Sequence, residues 1–212
     1  MKFLIVLAII AVTGCQAFSV GKPSVRSVRS LDQHFVDFHK LLPLAEIQRV
    51  VVEYLGKDQE VQAVAAYLQS KDFSDLYVKV FTVKELKDVL SFLEKNGVDA
   101  YKYINHAGGF LHLPVIHPMI RLMERHRQGV ESLLSDVLAL LSKDKFIALY
   151  EDKYQNAQDF KAFVDALQGK EFEALATKLH QSKDYLEVLK TLKEHHLDLV
   201  KFVEIISKYF SS

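Results

Sequence analysis

A chain that carries one helical pattern twice has to fold as two matched halves. Leu68-Gln69-Ser70-Lys71-Asp72-Phe73 returns as Leu167-Gln168-Gly169-Lys170-Glu171-Phe172, 99 residues later. Sliding residues 37–110 onto 136–209 at that offset needs no gap and gives 17 identities in 74 positions. They include Asp37/Asp136, Leu41/Leu140, Gln59/Gln158, Phe73/Phe172, Leu90/Leu189, Leu93/Leu192 and Asp99/Asp198. Other pairs exchange one apolar side chain for another, as in Ile47/Phe146, Val50/Leu149, Val61/Phe160, Tyr103/Phe202 and Ile104/Val203. Chance supplies a few identities, but not an apolar phase held through the whole window. The chain is an internal duplication.

The period of that phase is helical. Leu31, Phe35, Phe38 and Leu42 fall on one stripe, which Pro43 interrupts because proline is tolerated only in a first turn. Leu44, Ile47, Val50, Val51, Tyr54 and Leu55 make the next stripe, expected to end near Gly56. Asp58 and Asp72 are the expected caps of the third and fourth helices, and Thr82 with Glu85 forms the pattern of a capping box before a fifth. Asn96-Gly97 closes that helix, Asp99 opens a sixth, and Gly108-Gly109 ends the first copy. The second copy repeats this order, with helices expected near 131–141, 143–154, 157–167, 170–180, 183–195 and 198–209. Strand signals are nearly absent. The expected fold class is all-α: repeat 1 over 31–110 and repeat 2 over 130–210, each of five to six short helices, forming a single globular unit.

Ahead of the repeats, Lys2, the apolar run 3–12 and the small residues Cys15 and Ala17 make the pattern of a secretory signal over residues 1–17. The apolar run is about half the length a bilayer-spanning helix needs. Val12-Thr13-Gly14-Cys15 also fits a bacterial lipobox, which would leave Cys15 lipidated. Cleavage after Ala17 leaves no cysteine, so the fold has to be held by burial and not by disulfides. Residues 18–30, with Gly21, Pro23, Lys22, Arg26 and Arg29, read as a flexible arm. The 27 basic and 27 acidic residues of the full chain balance, which argues against nucleic acid as a partner. There is no Asn-x-Ser/Thr glycosylation acceptor.

Residues 111–129 join the copies and differ from both, with Pro114, Pro118, His112, His117, His126, Arg121, Arg125 and Arg127 among many apolar side chains. His106, His112 and His117 are spaced by six and five, which does not place them on one helical face. No His-Glu-x-x-His, nucleophile elbow, phosphate loop or dinucleotide fingerprint occurs. Neither metal nor catalytic residue is expected, and the chain reads as a non-enzyme. Its 14 Phe and 9 Tyr on short helices leave two readings: a dry, filled core, or two curved shells around a cavity for something greasy.

Leu41-Leu42-Pro43-Leu44, Ile47, Val50 and Tyr54-Leu55, then Val61-Gln62-Ala63, Tyr67-Leu68-Gln69-Ser70 and Phe73, then Leu93 through Asp99 form an ordered pattern. It resembles the insect allergen-related repeat family, which includes cockroach group 1 allergens and blood-meal-induced midgut microvillar proteins of mosquitoes. The resemblance runs from Leu31 to Tyr209 and is nearest to the mosquito proteins. It implies two repeats around one large hydrophobic cavity holding fatty acids or phospholipid acyl chains, secretion in the gut and a tie to digestion. Nitrile-specifier proteins of caterpillars look like distant relatives, but no motif for that activity is found here. Lys143 and Lys153 stand where the first copy has Leu44 and Tyr54, so the second copy's wall is expected to be less apolar.

The resulting expectation is a secreted lipid carrier with no cofactor beyond a bound fatty acid or phospholipid; the sequence leaves the oligomeric state open and favours a monomer. The expected wall in the first copy is Ile47, Val50, Val51, Tyr54, Val61, Val64, Leu68, Phe73, Leu76, Leu90 and Leu93. In the second it is Phe146, Leu149, Phe160, Phe163, Leu167, Phe172, Leu175, Leu189 and Leu192. Burial supplies about 0.8 kcal/mol per methylene, ample for a long chain. Arg121, Arg125 and Arg127, beside Met119, Ile120, Leu122 and Met123, are the expected membrane or head-group contact, each cation contributing roughly 1 kcal/mol at an anionic surface. Lipid exchange there, and in excess lysis, would follow. The alternatives are a detoxifying or hydrolytic enzyme using the histidines, and a structural protein of the microvillar surface.

Overall fold

The computed structural model describes residues 30–104, residue 102 excepted, and residues 129–211. The expected signal, the arm up to residue 29, Gly108-Gly109, the three spaced histidines and the three arginines of the joining segment lie outside the described residues, and Ser30, placed in the arm, is instead helical. The first copy forms α1 (Ser30–His39), α2 (Leu44–Lys57), α3 (Gln59–Leu68), α4 (Lys71–Val80) and α5 (Lys84–Lys95), and Ala100, Tyr101, Tyr103 and Ile104 are helical after them. The second forms α6 (Val130–Ala139), α7 (Lys143–Asn156), α8 (Gln158–Leu167), α9 (Lys170–Gln181), α10 (Lys183–Glu194) and α11 (Leu199–Ser211). Among the described residues there is no strand, and the fold is all-α. The limits of α2, α3 and α5 coincide to the residue with those of α7, α8 and α10 under the 99-residue shift.

The helix starts are set by burial as much as by capping. Asp58 caps α3 as expected, accepting from the Val61 N–H at 3.0 Å, while its second oxygen accepts from the Gly129 N–H. Burial would raise this carboxyl, but the backbone N–H donors outweigh it and hold it below the usual range. At α4 the cap is Ser70, not Asp72: the Ser70 hydroxyl accepts from the Phe73 N–H, and Asp72 sits in the first turn, where the helix dipole favours an anion. The Thr82–Glu85 box does not form. α5 begins after Val83, whose side chain is 3% exposed and anchors the turn. Thr82 instead donates to the Lys79 carbonyl, and Glu85 accepts from Ser182 of the other copy. α2 ends near Gly56 as expected, one residue on, at Lys57.

Gly97 is required where it stands. Its φ is +93°, and a Cβ there would lie 3.0 Å from Leu31 Cδ1. Its counterpart 99 residues on, His196, also has a positive φ, of 63°. Gly97→Ala should therefore destabilise the protein by about 1–2 kcal/mol, read as a lowered urea midpoint at unchanged slope.

The copies do not pack as two separate bundles. α1 lies on α7 and α8, and α6 lies on α2, so each copy's first helix sits on the other's second. α5 packs on α9 and α10 packs on α4, extending the same exchange. The main core gathers Leu31, Phe35 and Phe38 of α1, Phe92, Val98 and Tyr103 of the first copy, and Phe146, Phe160, Phe163, Val164 and Leu167 of the second. Phe38 stacks on Phe146 and Phe160 at centroid distances of 6.4 and 6.0 Å, and Phe35 meets Phe163 edge-on at 6.1 Å.

Candidate functional site

Two polar contacts join the copies at positions related by the duplication. Tyr54 of α2 donates its hydroxyl to Asp136 of α6 at 2.7 Å. At the equivalent place Lys153 of α7 donates to Asp37 of α1, also at 2.7 Å. The aspartate is shared by both copies, while the donor is a phenol in one and an ammonium in the other. Lys153 is therefore not a polar intrusion into an apolar wall. Its stem is buried and its head is taken up by Asp37 and, at 3.1 Å, by His34 Nδ1. His34 Nε2 then lies 3.1 Å from Asp159 of α8. The order Asp159, His34, Lys153, Asp37 ties α1 to α7 and α8 through alternating acceptors and donors. Such a network is a structural clamp between the copies.

Burial tends to raise the Asp37 carboxyl, but hydrogen bonds from Lys153, Lys40 and Gln33 more than offset it and hold it at about 2. A carboxyl lowered from 3.8 contributes stability that is fully present above that value and is lost as pH falls through the folded one. After discounting for its partial exposure, roughly 1–2 kcal/mol should vanish between about pH 4 and 2. In Asp37→Asn that part of the acid limb should flatten in urea melts taken across this range.

The expected wall residues divide by burial. Tyr54, Val61, Val64, Leu90, Phe146, Phe160, Phe163 and Leu167 are buried. Ile47, Val50, Val51, Leu68, Phe73, Leu76, Leu93, Leu149, Phe172, Leu175, Leu189 and Leu192 are all half-buried. Of the second-copy set, Phe146, Phe160, Phe163 and Leu167 close on one another in the main core, with Leu149, Phe172 and Leu175 against them. α4 and α11 are amphipathic, yet neither contains a single buried residue.

The duplication is unequal in size. The six core phenylalanines Phe35, Phe38, Phe92, Phe146, Phe160 and Phe163 correspond to Leu134, Val137, Thr191, Ile47, Val61 and Val64. Only Val61 and Val64 of these smaller residues are buried. The difference extends to the turn after the fifth helix of each copy. In the first copy Leu90, Val98 and Ala100 are buried; in the second Leu189 and Leu197 are half-buried and Leu199 is 41% exposed.

Around that second turn, α10 and the start of α11 border a groove of about 490 Å3. Leu186, Leu189, Leu199 and Val200 supply apolar surface; Lys190, Lys193 and Lys201 face Asp198 and Glu204. Lys193 pairs with Asp198 at 2.8 Å and Lys201 with Glu204 at 3.5 Å, while the Lys190–Glu194 pair is loose at 3.8 Å. Leu189 alone of the expected wall residues borders it. The signal that would have found the rest is the pair Leu199-Val200, apolar where the first copy has Ala100-Tyr101. Among the described residues no group of three or more histidine, cysteine or acidic side chains is placed to hold a metal. Among them, too, no helix is long and apolar enough to cross a membrane.

The sequence profile of the insect allergen related repeat, described with nitrile-specifier detoxification, matches residues 30–203. Protein G12 of Anopheles gambiae is 28% identical over 202 residues, which are 94% of this chain and 96% of that protein.

Proposed function

Because the chain belongs to the insect allergen related repeat family, we propose that it is a secreted, non-catalytic carrier of fatty acids or phospholipid acyl chains. In this reading it works in the insect gut during digestion and exchanges lipid with membranes. The observation that carries the reading is the state of α4 and α11. Phe73, Leu76, Tyr77 and Val80 of α4, and Phe202, Ile205, Ile206 and Phe210 of α11, are large and apolar, but every one keeps part of its surface accessible. Interiors normally pack to crystal-like density, so a filled core would close such faces. Faces that meet a removable acyl chain stay accessible when the chain is absent. The secretory pattern of residues 1–17 and the lack of any metal-ligand or nucleophile motif accord with the same role.

Organic extraction of the purified protein followed by mass spectrometry tests it. Long-chain fatty acid or phospholipid should be recovered in stoichiometric amount, and the stripped protein should take up added fatty acid. An empty extract together with no uptake would leave a structural protein of the microvillar surface as the better description. Vesicle-to-vesicle transfer of a fluorescent lipid, with Arg121, Arg125 and Arg127 replaced by Glu, tests the membrane step; transfer should slow.

A further inference from the structure

Resting on the lipid-carrier reading, we infer that the acyl chain is held on one side only of the duplicated fold, the side built by α2, α3, α4, α6, α10 and α11, as a single fatty acid in a site whose mouth is the groove between α10 and α11. A duplicated fold offers two equivalent half-sites, and here they have been made different. The half built on α1, α5, α7 and α8 gathers six phenylalanines in one buried core, where Phe38 stacks on Phe146 and Phe160 and Phe35 meets Phe163. The other half carries leucine, valine, isoleucine or threonine at every one of those places. The backbone frame recurs closely, since the limits of α2, α3 and α5 return to the residue in α7, α8 and α10. Replacing rings by shorter side chains in an unchanged frame leaves volume, and apolar volume without a partner loses dispersion contacts until something fills it.

The turns agree with the cores. The first copy's turn is shut, Val98 being 1% exposed, whereas the second opens into the groove of about 490 Å3. That volume lies in the range of about 300–1,000 Å3 typical of small-molecule sites. Its chemistry is that of a monocarboxylate with a long tail: four aliphatic side chains, and three ammonium groups against two carboxylates. Lys190, the least tightly paired of the three, is free to turn to a ligand carboxylate. The bulk and charge of a phospholipid head fit this rim less well than one carboxylate does.

The full chain, stripped of lipid, is loaded with a long-chain fatty acid bearing a diazirine on its tail, and cross-linked peptides are mapped. Labels should fall on α2, α3, α4, α6, α10 or α11. Leu134→Phe, Val137→Phe and Thr191→Phe together give the second copy the first copy's rings and should weaken uptake of a fluorescent fatty acid at least about tenfold with helicity unchanged. Leu199→Glu, at an exposed position that the fold tolerates, should do the same should the triple variant not fold. Lys190→Glu should weaken binding of the free acid severalfold and leave that of its methyl ester unchanged. Labels confined to α1, α7 and α8, or full affinity in Leu199→Glu, would overturn the inference while leaving the carrier reading intact. No uptake by the unaltered chain would overturn both.

Discussion

Asp37→Ala should lower the unfolding free energy by about 3 kcal/mol, measured as a shift of the urea midpoint. The loss does not come from the removed carboxylate as such. It comes from Lys153, whose side chain is 10% exposed and which would keep only His34 Nδ1 as an acceptor. An ammonium in that position, largely shielded from water and deprived of its carboxylate, is costly. The duplicated site supplies the control. Asp136→Ala removes the same carboxylate from a neutral phenol, Tyr54, and should cost only about 1–2 kcal/mol. Asp37→Ala combined with Lys153→Met should recover much of the loss, because the charge that made the gap expensive is gone. If Asp37→Ala and Asp136→Ala cost the same, charge is not what distinguishes the two joints.

Phe38→Ala is expected to cost about 3–5 kcal/mol. Phe38 is 0% exposed and stacked between two rings of the other copy, so its removal leaves a cavity that rigid aromatic neighbours cannot collapse into. Its counterpart Val137 is only half-buried. Val137→Ala should cost about 1 kcal/mol or less by the same reasoning. The ratio of the two, read from thermal unfolding, measures how unevenly the core is divided between the halves. Equal costs would mean that the smaller half is packed as tightly as the larger.

Much of this was legible before the fold was known. The duplication, the all-helical class and most helix limits follow from the apolar phase alone, because a helix has to bury its stripe wherever it goes. Start positions were less legible: Asp72 and Thr82 carry good capping chemistry, but Ser70 and the buried Val83 decide the local register. Which helices exchange partners is a tertiary fact. Lys153 shows why: alone in sequence it looks like a flaw in an apolar face, and only the crossing of α1 over α7 turns it into half of a joint. The paired substitution of each core phenylalanine by a smaller residue was visible in the alignment of the copies. It acquires meaning only once those residues are seen to make one core and its counterpart.

The crossing also fixes a delay in the life of each molecule. His34 precedes Asp159, its partner in α8, by 125 residues. At roughly 5–20 residues per second, the ribosome needs about 6–25 s to deliver that partner after α1 has been made. Through that interval Leu31, Phe35 and Phe38 exist without the surface that covers them, on a helix too short to hold its shape alone. The nascent chain is thus at its stickiest halfway through synthesis, and a stall between the copies would strand it there. Contacts this distant in sequence also slow the search for the native fold.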